Sequence, residues 1–267
     1  HDAAAASAAA RLAAGLVRFW ETRGQQREGR GRLSRVLDLP RDLLPPADLA
    51  GVLVGAGLLA GQQGDFRAAR KWATEGLARY RDLGERAGMA AALEVLAQAA
   101  QLQRDQPAAR EYAEASLALH DALGDRAGIA EALFLLGNQA WARGDVADAE
   151  IRLARSLAIR RELGDRQGIA VVLNALAAVT YGRGDLDGAR QLFRDSLALA
   201  RELGDRRSTA FVLNNLGHLA TELGEHETAR EMLEESLALK RAVGDRRGEA
   251  NTLSNLGDLA LATGDLA

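Results

Sequence analysis

The chain has 267 residues, a formal net charge of −3, no cysteine, 48% hydrophobic residues and only 4% aromatics. This balance excludes a disulfide framework and thiolate chemistry and gives no broad attraction for nucleic acid or anionic membranes. It suits thin Ala/Leu layers between helices, and four prolines against abundant Ala, Leu, Arg and Glu favour helix nearly throughout.

The chain opens on His1-Asp2-Ala3 without an initiator methionine, which reads as a cloning remnant or an excised fragment. The stretch from Ala3 to Leu16 lacks a basic leader and is interrupted by Arg11, so it reads as a helix and not as a signal peptide. No apolar run reaches transmembrane length. Residues 4–39 form a degenerate first hairpin, because Gly24, Gly29 and Leu37 precede Gly64, Ala69 and Leu77 by one constant step. Leu39-Pro40 to Pro45-Pro46 is a stiff connector that completes a leading segment, 1–46.

From residue 47 onward one period governs the chain. Leu83-Gly84-Glu85-Arg86 returns as Leu123-Gly124-Asp125-Arg126, Leu163-Gly164-Asp165-Arg166, Leu203-Gly204-Asp205-Arg206 and Val243-Gly244-Asp245-Arg246. A second mark keeps the same step: Gly64-Asp65, Arg104-Asp105, Gly144-Asp145, Gly184-Asp185, Gly224-Glu225 and Gly264-Asp265. A fixed period of about forty residues marks stacked units that touch only their neighbours. Within one unit, Ala130, Leu133, Leu136, Gly137 and Ala140 form a helical stripe, and Ala149, Leu153, Ser156 and Leu157 form a second. Glycine stops each helix in a left-handed turn and the following Asp caps the next. The divisions are 47–87, 88–127, 128–167, 168–207, 208–247 and a truncated 248–267, whose helix runs over roughly 248–263. Leu253, Leu256 and Leu259 then belong to an unfinished hairpin. Either a longer parent chain continues from it, or a second copy covers it by end-to-end self-association.

Small residues recur where paired helices must approach. Gly57, Ala97, Gly137, Ala177, Gly217 and Gly257 share one register, and Gly29, Ala69, Ala109, Ala149, Ala189 and Ala229 share the facing one. This pattern resembles the tetratricopeptide repeat. With Ala130 as first position, Leu133 takes the place of the family's Trp, Leu136 its Leu, Gly137 its Gly, Ala140 its Tyr, Ala149 its Ala and Leu153 its Phe. The family's usual unit is about 34 residues; the forty-residue variety is similar to repeats of kinesin light chains and MalT-like regulators. The resemblance implies an all-α fold, a right-handed superhelical solenoid of antiparallel helical hairpins.

Nothing in the sequence composes an active site, so no catalytic residue, cofactor or metal is expected. Neither Lys71 nor Lys240 completes a phosphate-binding loop. Gly51, Gly55 and Gly57 lie within a helix, where close packing explains them. His1, His120, His218 and His226 lack metal-ligand spacing, and the recurring Asp145, Asp165, Asp185 and Asp205 are caps.

By resemblance, the first helices of successive units line a concave groove. Its expected ligand-binding residues are Glu94 and Gln98; Glu131, Phe134, Asn138 and Trp141; Asn174 and Tyr181; Phe211, Asn214 and His218; and Asn251 and Asp258. Scarce aromatics gather on this face, and its amides both donate and accept hydrogen bonds, a mixture able to hold an extended peptide. Arg18-Phe19-Trp20-Glu21-Thr22-Arg23-Gly24 and Glu28-Gly29-Arg30 resemble the opening of the repeat region in bacterial STAND-type signalling ATPases, including LuxR-type and MalT-like regulators. The resemblance implies a cytoplasmic, non-catalytic sensor whose partner is a peptide, a protein or a small inducer. Phe19 and Trp20 either pack the first hairpin or meet an upstream domain. A free-standing peptide scaffold and an engineered or amplified array are the alternatives.

Overall fold

The computed structural model describes residues 3–264, and among these it holds fourteen α-helices, one short 3₁₀ turn and no strand. Expectations that rest on His1, Asp2 and residues 265–267 lie outside the described residues. The chain forms two compact units, residues 1–143 and 144–267.

The first unit contains α1 (Ala3–Gly15), α2 (Val17–Thr22), α3 (Gln26–Leu37), a 3₁₀ turn (Arg41–Leu43), α4 (Pro46–Gln62), α5 (Phe66–Leu83), α6 (Arg86–Leu102), α7 (Gln106–Leu123) and α8 (Arg126–Ala142). The first hairpin is less regular than the repeat register suggests, because its leading helix breaks at Leu16. The helical bonds Leu16 N–Leu12 O and Trp20 N–Leu16 O, both 3.1 Å, carry the chain through the break. Trp20 is buried with Ala6, Ala10, Ala13, Val17 and Leu33. It therefore packs its own hairpin, whereas Phe19 is 47% exposed. Pro46, read from the sequence as the end of the connector, lies in the first turn of α4.

The second unit contains α9 (Val146–Leu163), α10 (Arg166–Gly182), α11 (Leu186–Glu202), α12 (Arg206–Glu222), α13 (His226–Val243) and α14 (Arg246–Thr263). The most extensive packing joins α4 with α5, α6 with α7, α10 with α11, and α12 with α13. Within each unit these are hairpins of two helices joined by tight turns, stacked on their neighbours.

The repeated punctuation is local chemistry. Asp65, Asp105, Asp125, Asp145, Asp165, Asp185, Asp205 and Asp245 each accept a hydrogen bond from a backbone N–H in the first turn of the helix that follows. Glu85 and Glu225 occupy the same position without capping; their carboxylates sit one methylene farther out. Positive φ recurs at the expected glycines, and Arg104, at φ 62°, is the one other described residue that adopts it.

The small-residue registers serve close packing. A Cβ on Gly217 would sit 2.7 Å from Leu233 Cγ and 3.3 Å from the Ala229 carbonyl oxygen. On Gly57 it would sit 3.1 Å from the Ala69 carbonyl oxygen, and on Gly55 2.5 Å from Val17 Cγ2. Gly51, Gly55 and Gly57 thus lie inside α4 as packing residues. A buried serine repeats the same economy in the second helices: Ser196 and Ser236 donate to the carbonyls of Ala170 and Ala210 at 2.7 Å.

Candidate functional site

All thirteen expected groove residues lie on first helices: α6, α8, α10, α12 and α14. None is buried; Phe211, Asn251 and Asp258 are exposed and the others are half-buried. The units carry separate sets, and the structure brings together only part of each.

In the first unit, Glu94 on α6 accepts from His120 Nε2 at 2.9 Å. The other ring nitrogen, Nδ1, lies 2.9 Å from Asp125 Oδ2, and a second oxygen of that carboxyl caps α8. His120 thus spans two carboxylates, and the hydrogen bond to Glu94 raises its pKa above the usual imidazole range, with burial opposing. Burial also pushes the Glu94 carboxyl up, partly offset by its bond to His120. Phe134 packs against the buried cluster of Ala97, Ala113, Leu135 and Leu136, so its ring belongs partly to the core. Gln98, Asn138 and Trp141 remain half-buried on the same helices.

In the second unit the expected residues are linked by hydrogen bonds. Asn174 Oδ1 on α10 accepts from Asn215 Nδ2 on α12 at 3.0 Å. Asn214 Oδ1 accepts from the Thr252 hydroxyl on α14 at 2.8 Å. Both amides therefore use their oxygen as an acceptor within the repeat stack. The Tyr181 hydroxyl donates to Glu222 at 2.5 Å and lies 3.3 Å from His218 Nε2. The two rings meet edge to face at 5.9 Å between centroids. Burial, and then the bond to Glu222, push the Tyr181 hydroxyl up to about 12, so it stays a neutral donor. Asn251 and Asp258 lie on the outer, exposed part of α14.

A second layer, beneath this face, was not anticipated. One register near the end of each second helix holds Tyr80, His120, Arg160, Ala200 and Lys240. Its side chains differ in size and charge, yet each large member faces a glycine eight residues later. A Cβ at Gly88 would strike Tyr80, at Gly128 His120 and at Gly168 Arg160, whereas at Gly248 it would strike Asp245 and sit 3.0 Å from Lys240 Cδ. Where the member is Ala200, the facing residue is Ser208, whose hydroxyl bonds Asp205 at 2.7 Å. The signal available in the sequence was this pairing of a bulky residue with a glycine inside an otherwise constant frame.

Among the described residues, no cluster of three or more His, Cys, Asp or Glu side chains could hold a metal ion, and no helix is long and apolar enough to cross a membrane.

The tetratricopeptide-repeat family model matches residues 128–202 and 208–267, more than half of the chain. No curated protein matches the sequence. Among solved structures, NprR in complex with its cognate peptide NprX is similar over 98% of this chain and 78% of that one, with 14% identity and a TM-score of 0.75. A Rap protein complexed with Competence and Sporulation Factor is similar over 99% and 84%, with 14% identity and a TM-score of 0.74. A signal transduction ATPase with numerous domains (STAND) and a tetratricopeptide repeat sensor, from Pyrococcus horikoshii, matches 92% of this chain but only 37% of its own length, with 15% identity and a TM-score of 0.68. At these identities the likeness is one of fold. Helical hairpins in a forty-residue register, together with the family match, show that the chain belongs to the tetratricopeptide-repeat family.

Proposed function

We propose that this chain is a non-catalytic sensor and interaction region that holds a peptide or protein segment along the first helices of its second unit. The observation that carries the reading is the polar strip on α10, α12 and α14. Asn174 and Asn214 are each fixed through Oδ1 while Nδ2 stays available, and Tyr181, His218 and exposed Phe211 stand on the same helices. Amide donors fixed before the ligand arrives suit the carbonyl groups of an extended backbone, and prior ordering lowers the entropic cost of binding. Of two solved structures of similar fold, the Rap protein is complexed with Competence and Sporulation Factor and NprR with its cognate peptide, and the latter supports a peptide as ligand class.

The likeness to a STAND repeat sensor and the Arg18–Gly24 segment support a place in a bacterial cytoplasmic signalling ATPase or transcriptional regulator. There the ligand would act by preferring one of two states of the attached switch. A phosphate-binding loop upstream in the complete reading frame is the expected finding; a frame without one would leave a free-standing scaffold.

Selection of binders from a random peptide library, followed by calorimetry, tests the groove. The double variant Asn174→Ala/Asn214→Ala is expected to weaken a selected peptide by about tenfold or more while its helical circular dichroism stays unchanged. Unchanged affinity would remove these amides from the binding face.

A further inference from the structure

The turns that lead from each second helix into the next first helix gather at one edge of the second unit, and that edge is basic. Arg166 on α10 reaches Glu202 on α11 at 2.5 Å, and Arg201 on α11 reaches Glu235 on α13 at 2.7 Å, so these turns are neighbours. Arg241 lies 3.7 Å from Glu249. Arg161, Arg206, Arg246 and Arg247 are also exposed, and they form no ion pair among the described residues. The exposed acids of these turns are Glu162 and Glu202, the second already paired with Arg166. Asp165, Asp205 and Asp245 are half-buried and turned to the helix starts that they cap. Among the arginines stand Leu163 and Leu203, 48% and 41% exposed.

The surplus of positive charge belongs to this unit and not to the repeat register. In the first unit the matching turns hold Leu83 and Leu123, exposed to a similar degree at 42% and 44%. There Arg81, Arg86 and Arg126 stand beside as many exposed acids, among them Asp82 and Asp121. Turning the chain therefore does not require the arginines. Unpaired like charges repel one another in the folded chain, and a guanidinium is a weakly hydrated fork that matches a carboxylate. The exposed leucines ask for apolar cover as well. The residues of these turns include no aromatic ring on which a base could stack. The opposite edge of the same unit exposes Asp185, Asp187, Glu225 and Glu227, but its Leu186 and Leu223 are half-buried. A second copy would thus answer the charge and leave the leucines uncovered.

We propose that this edge of the second unit is a docking surface for an acidic protein segment that also carries apolar side chains. The carboxylates of the segment pair with Arg161, Arg206, Arg246 and Arg247, and its apolar residues cover Leu163 and Leu203. The surface lies at the turns and uses none of the first-helix amides, so it does not rest on the peptide reading above.

Fluorescence anisotropy with the full chain tests the surface, using a labelled peptide in which single leucines alternate with pairs of glutamates. This probe is expected to bind saturably, about tenfold tighter than a glutamate-only peptide of equal length, and to weaken as salt rises. Arg206→Glu/Arg246→Glu is expected to lose about tenfold or more of that affinity, and Leu163→Ser/Leu203→Ser a similar factor. Both pairs change exposed side chains, so helical circular dichroism is expected to stay unchanged. Arg86→Glu/Arg126→Glu, at the matching positions of the first unit, and Asn174→Ala/Asn214→Ala are expected to bind the probe as the parent does. Unchanged affinity in either second-unit variant, or an equal loss in the first-unit variant, would overturn the surface. A loss in the asparagine variant would move the probe to the first-helix face and overturn it too. Tighter binding of oligothymidylate, or of phosphatidylserine vesicles that the probe fails to displace, would give the edge to nucleic acid or membrane instead. A parent dimer in sedimentation velocity that Arg206→Glu/Arg246→Glu separates would give it to a second copy, again against the proposal.

Discussion

At the scale of single residues, the repeat is a set of solved local problems, and one residue departs from the solution. Arg104 stands where Gly64, Gly144, Gly184 and Gly224 stand in other units, and it still adopts φ 62°. A side chain in that conformation costs about 1–2 kcal/mol, against which glycine loses about 0.5–1 kcal/mol through a freer unfolded chain. Arg104→Gly is therefore expected to stabilise the protein by about 0.5–1 kcal/mol, read as a small rise in the denaturant midpoint with an unchanged m-value. An unchanged or lowered midpoint would mean that Arg104 makes a compensating contact. The caps were legible because an Asp after a Gly determines its own surroundings within three residues. Glu85 and Glu225 broke the pattern because a carboxylate one bond farther out no longer meets the first turn.

At the scale of helices, the same sequence position does different work in different surroundings. Gly217 and Gly257 share one register, but a Cβ on Gly217 meets Leu233 and the Ala229 carbonyl, whereas a Cβ on Gly257 meets nothing within 4 Å. Gly217→Ala is expected to overpack α12 against α13 and cost about 1–3 kcal/mol. Gly257→Ala is expected to stabilise α14 by about 0.5–1 kcal/mol. Thermal unfolding of both variants checks the pair, and equal effects would mean that register alone sets the tolerance. The first stripe and the second stripe were legible as 3.6-residue periodicities. The break at Leu16 was not, because the helical hydrogen bonds continue across it. That the expected groove residues share the first helices was legible from the register. Their partners were not: Asn215, Thr252 and Lys240 reach them from other helices, up to forty-one residues away in the chain, so no local spacing reveals the bonds.

At the scale of the whole molecule, a net charge of −3 with acids and bases interspersed leaves the pH response to a few partly buried groups. His120 has a folded pKa raised by its bond to Glu94, above an unfolded value of about 6.5. Its contribution is fully present below about pH 6.5 and is lost as pH rises through the folded pKa. The Glu94 carboxyl, raised by burial, acts in the same direction, because the folded state again binds the extra proton. Stability of the parent chain is thus expected to fall as pH rises above about 6.5 through the raised folded pKa of His120, and His120→Gln to flatten that fall. Urea titrations at several pH values measure it; an equal slope in both proteins would assign the dependence elsewhere.

The bond from Thr252 to Asn214 has an evolutionary consequence. Because a residue hidden on the next helix consumes the acceptor of Asn214, the surface amide presents itself as a donor. Replacing Thr252 by valine would free that oxygen beside the unchanged N–H donors, so that the position could accept as well as donate, without altering Asn214 itself. In a protein built of repeats, selectivity can drift through such concealed neighbours one unit at a time, while the outward face keeps its sequence.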